Sequence, residues 1–282
     1  MKKRILAFIL LIATLLCLCS CSKGNDDSTF SVHFIDVGQG DAALIECDGH
    51  YMLIDGGDKS AGDIVYGVLE ENKIHHLDVL AISHLHSDHY GGLIKALSYA
   101  STIDLTICNS KYSDTETFRK FEHELGINGA EIIVPVNGDT YELGSATIEV
   151  VDVCADDGND SLVLLVTYGE TKFLFTGDIE DAAQARISDK YQSDSDKPYK
   201  IDLIKMPHHG SYTGALYRFL RTFMPDYVVI SVGAGNPYGH PHQDTLDLLD
   251  SKTWNPMLYR TDLDGDIVVR SDGKELSVKA YR

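Results

Sequence analysis

The sequence predicts an α+β domain in which two β-sheets stack face to face under covering helices. Three observations carry this. Short apolar runs fill 31–54 and again 146–176, set off by glycine-containing turns as strands in compact sheets are. Amphipathic stretches accompany them; in 62–71 the residues Ile64, Val65, Val68 and Leu69 share one helical face. The rhythm is a β-rich half, then a second β-rich half, each with its helices. A doubly wound parallel sheet would alternate strand and helix throughout. With 282 residues, 44% hydrophobic and 9% aromatic, the chain can build a sizeable core and is too apolar for disorder.

Residues 1–20 stand outside this fold. Lys2, Lys3 and Arg4 precede an almost wholly apolar run over 5–18, and Cys19, Ser20 and Cys21 follow. That is the plan of a secretory signal, and the run is short for a membrane span. A cysteine behind a small residue at the cleavage point resembles the lipobox of bacterial lipoproteins. Cys21 is then the lipidated residue, 21–29 a polar tether, and 30–282 one extracytoplasmic domain anchored to the outer face of the cytoplasmic membrane. Strands are expected at 31–37, 42–47, 51–54, 78–83, 102–108, 146–153, 162–168, 172–176, 201–206, 226–231, 257–260, 266–270 and 275–280. Helices are expected at 62–71, 93–99, 115–125, 181–187, 214–223 and 243–249. The polar stretch 188–198 reads as a surface loop.

Lys and Arg number 24 against 43 Asp and Glu, a formal charge of −19. This excludes a protein that binds polyanions through bulk charge. It leaves open a nucleic-acid enzyme whose site makes its own positive charge with metal ions. Arg218, Arg221, Arg260 and Arg270 form no run and read as surface charge. Cys47, Cys108 and Cys154 are dispersed, without disulfide or zinc spacing, and read as small core residues.

The chemistry begins at residues 84–89, HLHSDH, directly after an apolar strand. His84 and His86 alternate by two, so in an extended turn their rings can converge on one ion. Asp88 and His89 can serve a second. Imidazole with carboxylate suits zinc, and also manganese or iron. This motif resembles that of the metallo-β-lactamase superfamily of hydrolases, HxHxDH, residue for residue at His84, His86, Asp88 and His89. The segments FIDVGQGD at 34–41, LIDGG at 53–57, NDSLV at 159–163, FTGD at 175–178, KMPHHGS at 205–211 and SVGAGNPYGHPH at 231–242 look like the extracellular hydrolase domain of ComEC-type competence proteins. Bacterial phosphorylcholine esterases have similar domains.

The resemblance implies a four-layer αββα sandwich of the metallo-β-lactamase type, with one site at the edge between the sheets. It implies hydrolysis by a metal-bound hydroxide at two divalent ions, zinc first and manganese second. Asp178 bridges the ions, and Asp55 sits beneath the metal loop and orients a ligand histidine. Asp178 could instead cap the following helix. Adjacent side chains of an extended segment point apart, so only one of His208 and His209 is expected as a ligand. His209 is favoured, with His208 beside the substrate. His240 and His242, stiffened by prolines, stand at the rim as proton donors or phosphate contacts. Asp41 reads as a turn residue and Lys205 as a surface lysine. Tyr90, Tyr212 and Tyr238 flank the motifs as rim aromatics. Lactam- and lactone-opening members carry a further histidine before the Asp178 position. Here only His123 lies between His89 and Asp178, in a predicted helix, so Asn159 or Asp160 is left to complete the first site.

The expected substrate is a phosphodiester, DNA or a small choline-type diester. The alternatives are a carbonyl hydrolase acting on a β-lactam, lactone or ester, and a non-catalytic binding lipoprotein. No protein partner is deducible.

Overall fold

The computed structural model describes residues 30–154, 161–192, 199–251 and 254–282. Its strands are β1 (Phe30–Phe34), β2 (Ala43–Cys47), β3 (His50–Ile54), β4 (His76–Ile82), β5 (Thr102–Cys108), β6 (Ile132–Ile133), β7 (Thr140–Leu143), β8 (Ala146–Val153), β9 (Leu162–Tyr168), β10 (Thr171–Phe175), β11 (Leu203–Lys205), β12 (Tyr227–Ile230), β13 (Met257–Arg260), β14 (Asp266–Ser271) and β15 (Leu276–Tyr281). The helices are α1 (Gly62–Glu71), α2 (Ser87–Tyr90), α3 (Leu93–Ala96), α4 (Glu116–Ile127), α5 (Asp181–Tyr191), α6 (Tyr217–Phe223), α7 (Gln243–Leu249) and α8 (Thr261–Asp264). One sheet has the order β15-β14-β1-β2-β3-β4-β5-β6, the other β13-β12-β11-β10-β9-β8-β7. Both are mixed: β3 to β6 run parallel in the first, β10 to β13 in the second.

Side-chain alternation along the strands makes the layers. Val79 and Ala81 of β4 face the second sheet; Leu80 and Ile82 face the helices. Between the sheets, Phe30 meets Phe173 with ring centres 4.9 Å apart and Phe34 meets Phe175 at 5.9 Å. Outside the first sheet, Val65 and Leu69 of α1 and Phe118 and Phe121 of α4 cover Leu80 and Ile82. Outside the second, Ile187, Phe219 and Phe223 cover Ile204 and Val228. The result is the four-layer αββα sandwich that the sequence predicts. Local chemistry agrees: Thr115 caps α4, its side chain accepting the Phe118 N–H at 3.1 Å, a contribution of about 1 kcal/mol. No described helix is long and apolar enough to cross a membrane.

The differences from expectation are local. The first strand stops at Phe34, because Val37 turns back to bond the Ile35 carbonyl and Gly38 takes a positive φ. The helix expected over 214–223 starts at Tyr217, after a separate turn at Tyr212–Gly214. The short strands β6 and β7 carry too little apolar pattern to be read ahead. What matters for function is where the chain emerges. Asp55 follows β3 and the 84–89 motif follows β4, while Asp178, His208–His209 and His240 follow β10, β11 and β12. These are the carboxyl ends of parallel strands in both sheets, and they meet at one edge.

Candidate metal centre

The motif loop is held by backbone bonds before its side chains do anything. Gly56 donates its N–H to the His89 carbonyl at 2.6 Å and Asp41 donates to the Asp88 carbonyl at 3.3 Å. Asp88 and His89 lie in the single turn of α2, not in an extended loop. Asp55, with φ 57°, accepts the Ser83 N–H and hydroxyl at 2.7 Å each and meets Nδ1 of His89 at 2.9 Å. A carboxylate only accepts, so His89 carries a proton on Nδ1 and turns Nε2 to the interior, where it would be the atom to bind an ion. His209 is arranged alike: its Nδ1 lies 3.0 Å from the Ser231 carbonyl and 3.2 Å from Asp41 Oδ1.

Asp178 is the hub. Its Oδ2 lies 3.3 Å from His89 Nε2, 3.5 Å from His209 Nε2, 3.9 Å from His208 Nε2 and 4.0 Å from His84 Nε2. The Ser161 hydroxyl accepts its backbone N–H at 2.9 Å. It caps no helix: α5 starts at Asp181, with Glu180 in the capping position. The donor sets His84–His89–Asp178, Asp88–His89–His209 and Asp41–Asp178–His209 each gather ligand atoms within 4.8 Å of one another. His86 instead shares a 2.9 Å hydrogen bond with His84, between Nδ1 and Nε2.

Whether these residues suit a cation can be tested on their unsatisfied atoms. His89 Nε2, His209 Nε2 and Asp178 Oδ1 are buried without a hydrogen-bond partner. Each such atom costs about 1–3 kcal/mol. A divalent ion among nitrogen and oxygen donors relieves that cost, and the set fits one.

The electrostatics agree. Burial depresses an imidazole's basicity, but at His209 the charges of Asp178 and Asp41 override it and carry the pKa up to about 9. His89 moves up for the same reason, burial being outweighed by Asp178 and Asp55. Asp178 is held well below the usual carboxylate range, its burial overcome by His209 and His89. This is a pocket of negative potential. His84 goes the other way: burial and His89 push it down. His240 falls to about 4, through burial and the neighbouring His209, His208 and His242.

A cavity of about 350 Å³ opens over the hub, lined among others by Gln39, Asp88, His208, Tyr238 and His240. Tyr238, 63% exposed, stacks on His240 with centres 5.7 Å apart.

Several expectations need correcting. His208 and His209 are not extended; both have positive φ, 47° and 51°. The turn itself separates their roles, burying His209 and leaving His208 on the cavity wall, its Nδ1 3.2 Å from Glu180. His242 does not line this cavity: its Nδ1 accepts the Tyr212 N–H at 3.0 Å, behind His240. Tyr90 is no rim residue but is buried against Phe118 and Phe121. Lys205 is buried, not a surface lysine, and it pairs with Asp41 at 2.7 Å, so Asp41 is more than a turn residue. Parity could have shown this, since Lys205 lies two residues from Leu203, which faces the inter-sheet core. Asn159, Asp160 and Cys21 lie outside the described residues.

The sequence profile of the metallo-beta-lactamase superfamily matches residues 35–234. The chain is 25% identical to ComE operon protein 3 of Bacillus subtilis, over 93% of this chain and 35% of that protein. It is 30% identical to Recombination protein 2 of Haemophilus influenzae, over 86% of this chain and 28% of that one. It therefore spans about a third of the length of these curated relatives. Among solved structures, the metallo-beta-lactamase fold protein YhfI of Bacillus subtilis superposes with a TM-score of 0.54 at 14% identity, covering 82% of this chain and 96% of YhfI. CmlA, a diiron beta-hydroxylase of Streptomyces venezuelae, gives 0.54 at 13% identity, covering 86% and 54%. Members of this fold are mostly metal-dependent hydrolases and imply divalent metal ions, for which the Asp178 cluster supplies the donors. Profile, fold and donor set together show that the chain belongs to the metallo-beta-lactamase superfamily.

Proposed function

We propose that this protein is a two-metal phosphodiesterase, with zinc or manganese as the ions, anchored outside the cytoplasmic membrane through Cys21. The observation that carries the reading is the Asp178 hub: one carboxylate oxygen within 4.0 Å of four imidazoles, beneath an open cavity. Divalent ions held there supply Lewis acidity and lower the pKa of water.

The chain's own residues do the rest. Asp55 and the Ser231 carbonyl fix which ring nitrogens of His89 and His209 face inward. His240, with a pKa near 4, is neutral at pH 7 and meets a phosphoryl oxygen as a hydrogen-bond donor, not as a charge. The exposed face of Tyr238 suits a nucleobase or a quaternary ammonium group. No Lys or Arg lines the cavity among the described residues, and the chain carries −19. A long polyanion would meet no lysine or arginine in this cavity, only the ions held there. Small phosphodiesters are therefore the first substrates to expect. The relatives' names, a competence-operon protein and a recombination protein, bring DNA in as a further candidate.

Two measurements test this. The zinc- or manganese-loaded protein should hydrolyse bis-p-nitrophenyl phosphate well above an Asp178→Ala control. Turnover of an ester, lactone or cephalosporin in its place would replace this reading with a carbonyl hydrolase. Cys21→Ser should move the protein from the membrane fraction to the soluble one; a variant that stays anchored refutes the lipidation site.

A further inference from the structure

Lys205 is the one lysine or arginine that is buried among the described residues, 3% exposed. It ends β11 and points between the sheets. Its Nζ meets Asp41 Oδ2 at 2.7 Å and donates to the Met206 carbonyl at 2.8 Å. Asp41 arrives from the other sheet, in the β1–β2 connection, and its second oxygen lies 3.2 Å from Nδ1 of His209. The cavity beside the pair measures about 20 Å³, too small for any substrate group. Lys205 cannot touch the reacting molecule.

Two carboxylates thus stand behind two candidate ligand histidines, and they are treated differently. Asp55 behind His89 is held by the neutral Ser83. Asp41 behind His209 is held by a cation. Asp41 also gathers with Asp178 and His209 closely enough to be a ligand itself. We propose that Lys205 is a positioning residue: it occupies Asp41 Oδ2, withholds this carboxylate from the metal, and leaves Asp41 to orient the ring of His209. Without the lysine a buried carboxylate keeps its need for a positive partner and competes with Asp88 and Asp178 for the ion. With it, Asp41 acts only through His209.

The test removes charge but little volume. Lys205→Met/Asp41→Asn is purified, stripped of metal, and titrated with zinc and with manganese; its fold is checked by circular dichroism. Metal affinity should fall about 10–100-fold, the range for losing a partner behind a ligand. Wild-type affinity in the folded double variant overturns the proposal. Should the double variant not fold, the isosteric Asp41→Asn alone should show a loss in the same direction, and an unchanged affinity there overturns it too. A second arm separates positioning from packing. In a His209→Ala background, removing the pair should cost no further affinity, because its effect runs through that ring. A full additional loss shows that the pair acts elsewhere and refutes the role. Affinity is read without turnover, so these outcomes stand apart from the phosphodiesterase reading.

Discussion

Asp178→Ala should leave a folded protein that neither holds its metal ions nor turns over a phosphodiester. The residue is 3% exposed, and its Oδ2 is the atom on which His84, His89, His208 and His209 converge. Removing it takes away an anionic donor reachable from both sides of the site, along with the charge that keeps His209 and His89 basic. Activity should drop by roughly two to three orders of magnitude, the scale for losing one essential electrostatic partner of the transition state. The fold should survive, because the residue lies beyond the end of β10 and its backbone bond to Ser161 remains. Metal content by elemental analysis, beside circular dichroism and turnover, checks all three. A variant that keeps full metal and wild-type rate would remove Asp178 from the centre.

Gly40→Ala should be a strongly damaging small substitution beside the motif loop. Gly40 has φ 135°, where a side chain is strained, and an added Cβ would drive into the carbonyl oxygen of Asp88 and come 3.2 Å from Gly57 Cα. Both obstacles are backbone and cannot swing away. Strain and overpacking together amount to about 3 kcal/mol or more. The displaced carbonyl is the one that accepts the Asp41 N–H, and it belongs to the residue before His89. Metal affinity should therefore fall with stability. Gly38→Ala is the control: φ is 72° but nothing lies within 4 Å, so only the conformational penalty of about 1–2 kcal/mol applies and the metal loop stays in place. Denaturant unfolding of both metal-free variants checks the order. Equal losses would show that the contact with the motif loop does not matter.

What could be read from the sequence was what lies close along the chain. The 84–89 cluster announces itself because six consecutive residues carry three imidazoles and a carboxylate after an apolar strand. Asp55 is placed beneath it by the family resemblance, which the LIDGG segment at 53–57 helps to carry. The stacked layers followed from the rhythm of a β-rich half and then a second, each with its helices, whereas the facing of Val79 to Ile82, all apolar, shows only in the fold. What escaped depends on contacts across the fold. Lys205 and Asp41 are 164 positions apart and on different sheets, so neither local composition nor turn chemistry connects them. The sequence suggests extended geometry for His208 and His209, whereas consecutive positive φ values fix where they point. His242 looked equivalent to His240 in sequence; a single backbone N–H from Tyr212 makes it otherwise. Tyr90, beside the motif, reads as a rim residue in sequence. Its place on α2 turns it into the core against Phe118 instead.

The donors come from both halves of the chain. Asp88, His84 and His89 belong to the first sheet's loops, Asp178 and His209 to the second's. An ion among them is therefore a clasp across the interface between two layers, as well as a reagent. Folding and metal uptake then form one linked equilibrium, in which an ion at 100 times its dissociation constant adds about 2.7 kcal/mol to stability. Free metal ion would then set the stability of the folded chain as well as the filling of its site.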